Sequence, residues 1–336
     1  MNPSRLVSQP RSTLHGLIAA ASLILCILMP WPTQSQASWP DKTVRFIVPY
    51  APGGLPDTVA RIVAQALQER LGQSVVVDNR PGGNGSIAAT ALATSKADGY
   101  TFMVTDGSVV SINPHLYTKL TYNPSKDFLP VSYLARAPLF LAVNPKVPVS
   151  SFKEFIEYVK ARPDQLNYGS SGIGSTHHLS MEAVMAALGL KMTHIPYKGS
   201  GQSVPALIGG QVEVLFSAYP SLAPFVKDGR AKLLATNGAE RSPDAPDVPA
   251  IAEFIPGFDF ATTIGILAPV GTPREPIERL AAASATVSKD PEVIKKLALA
   301  GIEAVGTGPE DYARALKSES DRVTKTVQAA GIKPED

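Results

Sequence analysis

Cysteine is almost missing from this sequence: Cys26 is the only one, and it lies in an apolar run near the N-terminus. With that run removed, disulfides, thiolate catalysis and cysteine-ligated metals are all excluded. A cysteine-free chain suits an oxidising compartment. An excess of either charge is missing too. The chain has 31 Lys plus Arg and 29 Asp plus Glu, and two of the basic residues, Arg5 and Arg11, belong to the N-terminal stretch. The residues after 37 therefore carry no net charge, and nucleic acid, which wants a concentrated basic face, is not an expected partner. Long hydrophobic runs are absent apart from residues 17–29, too short to cross a bilayer comfortably, since a span needs about 20 residues. Enzyme marks are sparse as well. No His-Glu-x-x-His, Walker or calcium-loop pattern occurs, so neither a metal nor a cofactor is expected. His177 and His178 are adjacent, and on a helix they would diverge by about 100°, which makes them poor joint ligands and suggests a packing role for His178.

What is present starts with an export signal. Arg5 and Arg11 form a basic region without acids, residues 17–29 supply the apolar core, and Ser35-Gln36-Ala37 has the small residues of a cleavage site. A cut after Ala37 leaves 299 residues (336 less 37). A retained membrane anchor is the rival reading. A lipoprotein fits worse, because Cys26 follows Leu25, where lipidation signals need a small residue. About 300 residues is more than one core comfortably holds, so two lobes are expected.

Along the remaining chain, short apolar runs alternate with helix-period segments. Val44-Arg45-Phe46-Ile47-Val48 reads as a buried strand; the helix opened by Asp57 and stopped by Gly72 follows. Further strands are expected at 75–77, 100–105, 131–134, 140–143, 166–168, 194–197, 212–216, 232–235 and 263–268. Helices are expected at 85–96, after the capping box Ser151-Phe152-Lys153-Glu154, at 175–188, and in three closing segments from 275 onward. This alternation means an α/β protein, each lobe a mixed sheet flanked by helices. The expected lobes are 38–142 plus 262–336, and 143–261. Such sheets hold ligands at the carboxyl ends of their strands.

Four loops lie at such ends. Pro52-Gly53-Gly54-Leu55-Pro56-Asp57 brings backbone close to a ligand beside a helix start suited to an anion, or is a plain turn with Asp57 as its cap. Asn79-Arg80-Pro81-Gly82-Gly83-Asn84-Gly85 matches a dinucleotide fingerprint only loosely and lacks the acid such a site needs further on. Tyr168-Gly169-Ser170-Ser171-Gly172-Ile173-Gly174-Ser175-Thr176 offers N–H groups and hydroxyls that could ring a carboxylate, or is a flexible connection capped by Ser175. It has no Gly-x-Ser-x-Gly elbow, and no base is identifiable for Ser170 or Ser171. After Tyr197, Lys198 is placed to contact an anion or to face solvent.

Taken in order, these residues resemble the Bug proteins, the solute-binding receptors of tripartite tricarboxylate transporters. The resemblance runs through Phe46-Ile47-Val48-Pro49-Tyr50-Ala51-Pro52-Gly53-Gly54-Leu55-Pro56-Asp57, Val75-Val76-Val77-Asp78-Asn79-Arg80-Pro81-Gly82-Gly83-Asn84-Gly85, Ala97-Asp98-Gly99-Tyr100-Thr101, Lys126-Asp127-Phe128, Tyr168-Gly169-Ser170-Ser171-Gly172 with His178-Leu179, Ile195-Pro196-Tyr197-Lys198-Gly199, and Leu207-Ile208-Gly209-Gly210-Gln211. It implies a periplasmic binding protein of the two-crossover type, a Venus flytrap closing over a small carboxylate. By the resemblance, Tyr50, Pro52, Gly53, Gly54, Leu55 and Asp57 face one end of the ligand. Ser170, Ser171, Gly172, Ile173, Gly174, Ser175, Thr176, Tyr197 and Lys198 hold a carboxylate at the other. Many members have an acid where Ser217 stands, and its absence here argues against an amino-acid ligand. Leu55 and Ile173 suggest a less polar pocket. With no net charge after residue 37 and no concentration of arginines in the four loops, burying the roughly three charges of citrate is costly, and an aromatic or short aliphatic mono- or dicarboxylate is expected instead. The expected protein is a monomeric, non-enzymatic receptor that meets membrane transporter subunits transiently. A periplasmic enzyme using the Ser170 loop and a receptor feeding a sensor protein are the alternatives.

Overall fold

The computed structural model describes residues 39–334. The expected signal, its cut after Ala37, and Cys26 lie outside them. Among the described residues no helix is long and apolar enough to cross a membrane.

Two mixed sheets, each flanked by helices, make up the fold. The first contains β1 (Val44–Val48), β2 (Val75–Asn79), β3 (Thr101–Asp106), β4 (Phe128–Ala137), β10 (Thr262–Pro269) and β11 (Glu303–Thr307), in the order β11-β4-β10-β3-β1-β2. The second contains β5 (Leu139–Val143), β6 (Asn167–Ser170), β7 (Thr193–Pro196), β8 (Val214–Ala218) and β9 (Lys232–Thr236), in the order β7-β6-β8-β5-β9. β1 runs parallel to β2 and β3, and β6 parallel to β7 and β8, so their carboxyl ends gather on one side of each sheet. The chain changes sheet twice, after Ala137 and again before Thr262. The expected boundary at 142/143 falls inside β5.

The strands are apolar on both sides because both sides are covered. On β1, Phe46 and Val48 pack with Val59, Val63 and Leu67 of helix α1 (Leu55–Leu71), while Ile47 faces Ala88, Ala89 and Leu92 of α2 (Ser86–Ala93). On β5, Leu141 and Val143 meet Phe152, Phe155 and Val159 of α3 (Phe152–Lys160) and Met181 and Val184 of α4 (Thr176–Leu188). Phe140 and Ala142 meet Val204 and Leu207 of α5 (Ser200–Gly209) and Leu222 of α6 (Tyr219–Lys227). The alternation follows the two-residue period of a strand.

Helices α7 (Arg274–Val287), α8 (Pro291–Leu299) and α9 (Pro309–Ala330) close the chain, and Val323 and Val327 of α9 pack beside Leu179 of α4. The two crossovers are pinned together. Arg136 Nη2 donates to Asp259 at 2.9 Å, and Leu139 N–H donates to Asn237 Oδ1 at 2.7 Å.

Helix α1 begins with Gly54 at its cap, and Pro56 and Asp57 both lie in its first turn, so Asp57 is not the cap. Gly72 ends it in the left-handed conformation that glycine adopts at least cost, as expected from the sequence. Ser175 does cap α4, accepting from His178 N–H at 3.3 Å. The sequence pattern does not predict β11, α5 or α6, and 263–268 is not the final strand.

Candidate functional site

The carboxyl ends of β1, β3, β6, β7 and β8 face a common cavity of about 690 Å³ between the sheets. The wall from the first sheet is built on β1 and β3. Asp57 lies behind it, 2 % exposed. Its Oδ2 accepts from Gly53 N–H and Arg61 Nε, both at 2.9 Å, and its Oδ1 accepts from Asn79 Nδ2 at 2.8 Å. Asn79 also donates to Tyr50 O at 2.9 Å. Burial is the largest influence on the Asp57 carboxyl and opposes its ionisation, yet the bonds from Arg61, Gly53 and Asn79 outweigh it and leave the pKa below its ordinary value. Asp57 thus holds the glycine loop in shape, with Gly53 at φ +87°, and does not itself line the cavity.

The same wall carries an acid. Tyr50 Oη donates to Asp106 with both carboxylate oxygens at 2.8 Å, and Ser108 donates to Oδ1 through N–H at 3.1 Å and Oγ at 2.5 Å. Tyr50, Asp106 and Ser108 all line the cavity. Burial raises the Asp106 pKa, and burial and then the Asp106 charge raise that of Tyr50. Behind Gly107 sits the carboxyl of Glu319 from α9, so close that a side chain at Gly107 would collide with it. Burial, and then the charge on Asp106, push Glu319 up to about 8. The absence of an acid at Ser217 does not leave the cavity without one: Asp106, at the end of β3, lines it.

The facing wall comes from the second sheet. Its loop folds around Ser170, whose Oγ accepts from Gly172 N–H at 3.1 Å and meets His194 Nε2 at 2.7 Å. Gly172 and Gly174 take φ of +125° and +75°, conformations that favour glycine. Gly174 N–H donates to His178 Nδ1 at 3.2 Å. His178 and His194 stack at 4.1 Å, with Tyr168 stacked 4.7 Å from His194. Burial holds His178 down to about 3 and His194 to about 4, so both rings are neutral props for the loop. His194 does give Ser170 a basic neighbour that the sequence did not reveal. Ser170 is nevertheless fully buried and outside the cavity lining, where no substrate reaches it.

The exposed edge of this wall is polar. The first N–H groups of a helix have no partner within it; Ser175 takes that of His178, and Thr176 and His177, the next to be free, line the cavity. Ser171 Oγ lies 3.2 Å from Ser200 Oγ, which lies 3.3 Å from His177 Nε2. His177 is pushed down to about 4 by burial and is neutral at pH 7. Lys198 stands at the rim beside the start of α5.

Of the residues expected from sequence, Tyr50, Gly53, Gly54, Leu55, Ser171, Gly174, Ser175, Thr176 and Lys198 line the cavity. Pro52, Asp57, Ser170, Gly172, Ile173, Tyr197 and Ser217 do not. Ile173 is 51 % exposed, outside the lining, and Ile112 supplies apolar surface in its stead. Ser217 is fully buried with an unpartnered hydroxyl, and its neighbour Ala218 faces the cavity. Sequence reasoning missed Asn84, Asp106, Ser108, His177 and Ser200. The signal for Asp106 was a polar Asp-Gly-Ser immediately after a strand.

A cleft between two sheets, with helix starts and hydroxyls on one wall and a carboxylate on the other, defines a two-lobed solute-binding protein. The family described as the tripartite tricarboxylate transporter family receptor, TctC, matches residues 59–332. The chain belongs to this family of solute-binding receptors. It is 33 % identical over 325 residues to a UPF0065 protein of Bordetella bronchiseptica, covering 95 % of this chain and 96 % of that one. It is 33 % identical over 301 residues to the protein BugT of Bordetella pertussis, covering 89 % and 92 %. Among solved structures it is similar to R. palustris Rpa4515 with adipate, at 37 % identity and TM-score 0.80, covering 89 % of this chain and all of that one. It is also similar to MatC from Rhodopseudomonas palustris with bound malate, at 32 % identity and TM-score 0.74, covering 86 % and 100 %.

Proposed function

We propose that this chain is a periplasmic receptor that closes two lobes over a small carboxylate and passes it to the membrane subunits of a tripartite transporter. The observation that carries the reading is the polar edge of the second wall. Free N–H groups at the start of α4, with Ser171, Thr176 and Ser200 around them, form an anion seat that needs no buried cation. Charge-assisted hydrogen bonds of this kind contribute about 1.5–3 kcal/mol each. The adipate and malate of the two similar structures are small dicarboxylates, which supports the reading. In this account an export signal ending at Ala37 is removed on the way to the periplasm, and the mature receptor acts as a monomer.

The ligand class follows from charge. Asp106 and Lys198 are the formally charged side chains of the lining, one on each wall. A tricarboxylate would bring about three negative charges against one lysine at the rim, a costly arrangement in a closing cleft. An aromatic or short aliphatic mono- or dicarboxylate, its body against Leu55 and Ile112, fits better than citrate.

The lobes divide where the chain changes sheet, and closure is a hinge bend at those two crossovers. Calorimetry with benzoate, malate, adipate and citrate tests the ligand class. Tight citrate binding with no response to the others would overturn the charge argument, and no binding by any of them would remove the carboxylate reading. Small-angle scattering on a binding ligand should show a smaller radius of gyration than without it.

A further inference from the structure

We propose that Asp106 reads the far end of the ligand: the cleft prefers a carboxylate whose other end carries a hydrogen-bond donor, a hydroxyl or an ammonium, over one that ends in a second ionised carboxylate. The inference rests on the second wall being the carboxylate seat.

The two walls have opposite chemistry. The second offers donors: helix N–H groups, hydroxyls and Lys198. The first offers an acceptor. Asp106 Oδ1 takes both bonds from Ser108 and shares the Tyr50 proton with Oδ2. Tyr50 has a single proton to give, so Oδ2, with no other partner, keeps acceptor capacity. A ligand gripped at one end by the second wall presents its other end to this oxygen.

The charge state of Asp106 follows from its neighbours. Glu319 is buried on the far side of Gly107, and its Oε2 has no hydrogen-bond partner. Two acids so close do not both ionise readily, and the proton goes to the one with fewer donors. Glu319, pushed up to about 8, holds that proton at neutral pH; burial raises Asp106 as well, but three bonds from Tyr50 and Ser108 oppose that rise and favour its charged form, where Glu319 Oε2 has none. A second ligand carboxylate would meet this charge inside the cleft and bind more weakly. A hydroxyl or ammonium would complete the coordination of Oδ2. Repulsion of the wrong end is the kind of device by which specificity is commonly set.

The test is calorimetry at pH 7 on protein stripped of any carried-over ligand, with end groups compared at constant length. One set is succinate, 4-hydroxybutanoate and 4-aminobutanoate; the other is adipate, 6-hydroxyhexanoate and 6-aminohexanoate. In the length that fits, a donor-ended compound should bind at least tenfold more tightly than the dicarboxylate. Asp106→Asn should cut that ratio at least tenfold, by weakening the ammonium compound and admitting the dicarboxylate. Asp106→Ser, judged alongside by circular dichroism, should move the ratio in the same direction if the asparagine variant folds poorly. Preference for the dicarboxylate by the unaltered protein at both lengths, or a ratio untouched in both variants, overturns the inference while the carboxylate reading stands. Failure of all six compounds to bind overturns both.

Discussion

The two walls of the cleft are held in shape by different chemistry. The first-sheet wall is held by charge: Asp57 ties Gly53, Arg61 and Asn79 together, and Asp106 gathers Tyr50 and Ser108. The second-sheet wall is held by stacked rings, those of Tyr168, His194 and His178, bonded to Ser170 and Gly174, with Glu182 accepting from Tyr168 Oη and its carboxyl pKa raised by burial. The difference has a functional sense. On the proposed function, a wall that seats an anion gains from uncharged donors at its cavity face. A wall that meets the other end can keep a fixed carboxylate, and here it does.

The strongest way to break this contrast is Asp57→Ala. It strips the acceptor from Gly53 N–H and Asn79 Nδ2, and should cost about 3 kcal/mol of stability, read by urea unfolding at pH 7. The folded pKa of Asp57 is below its ordinary value of 3.8, so its contribution is present above that pH and fades as the pH falls through the folded value. The gap between variant and parent should therefore close in strong acid. An equal gap at all pH values would mean that the carboxylate charge is not what holds the loop.

The second wall should answer acid differently. Burial lowers His177 to about 4, His178 to about 3 and His194 to about 4, against an ordinary 6.5. The unfolded chain takes up these protons first, so the stabilisation is complete above pH 6.5 and is lost progressively as the pH falls toward 4. Melting temperature should drop over that window. His194→Phe keeps a ring in the stack and removes one titration, so its curve should be flatter; parallel curves for the two proteins would count against neutral histidines as the props.

Smaller effects separate grip from shape. Ser171→Ala and Thr176→Val should each weaken a bound carboxylate by roughly five- to tenfold, about 1 kcal/mol. Thr58→Val on the opposite wall should change a simple monocarboxylate by less than about twofold on the same scale. Titration calorimetry decides this, and equal losses on both walls would contradict a carboxylate seat confined to the second. A small change is also expected of Lys198→Ala, exposed at the rim. It should weaken binding about two- to threefold in dilute buffer, and less at about 0.5 M salt, where screening is strong.

Much of this is legible in the residues. β1, with apolar side chains on both faces, and α1, with its glycine stop, follow from short-range pattern. So do the Ser175 cap and the glycine-and-hydroxyl composition of the loop before it. β11 is hidden because it is a short edge strand, Glu303–Thr307, interrupted by Gly306. Helices α5 and α6 are hidden by Pro205 and Pro224, residues that ordinarily argue against a helix interior. Ile173 and Ser217 are expected to face the ligand and do not, because the direction of a side chain in an irregular loop or at a strand end is not set by composition.

The sequence alone determined the α/β character, the sites where strands give way to glycine-rich turns, and the glycine-and-hydroxyl composition of one of those turns, because these depend on neighbours a few residues apart. Only the tertiary structure decided what stands opposite that turn. Asp106, Ser200 and Ala218 reach the cavity through the strand order of two sheets and two crossovers. That order comes from burying the apolar faces of distant segments together, a long-range requirement that no local run of residues carries.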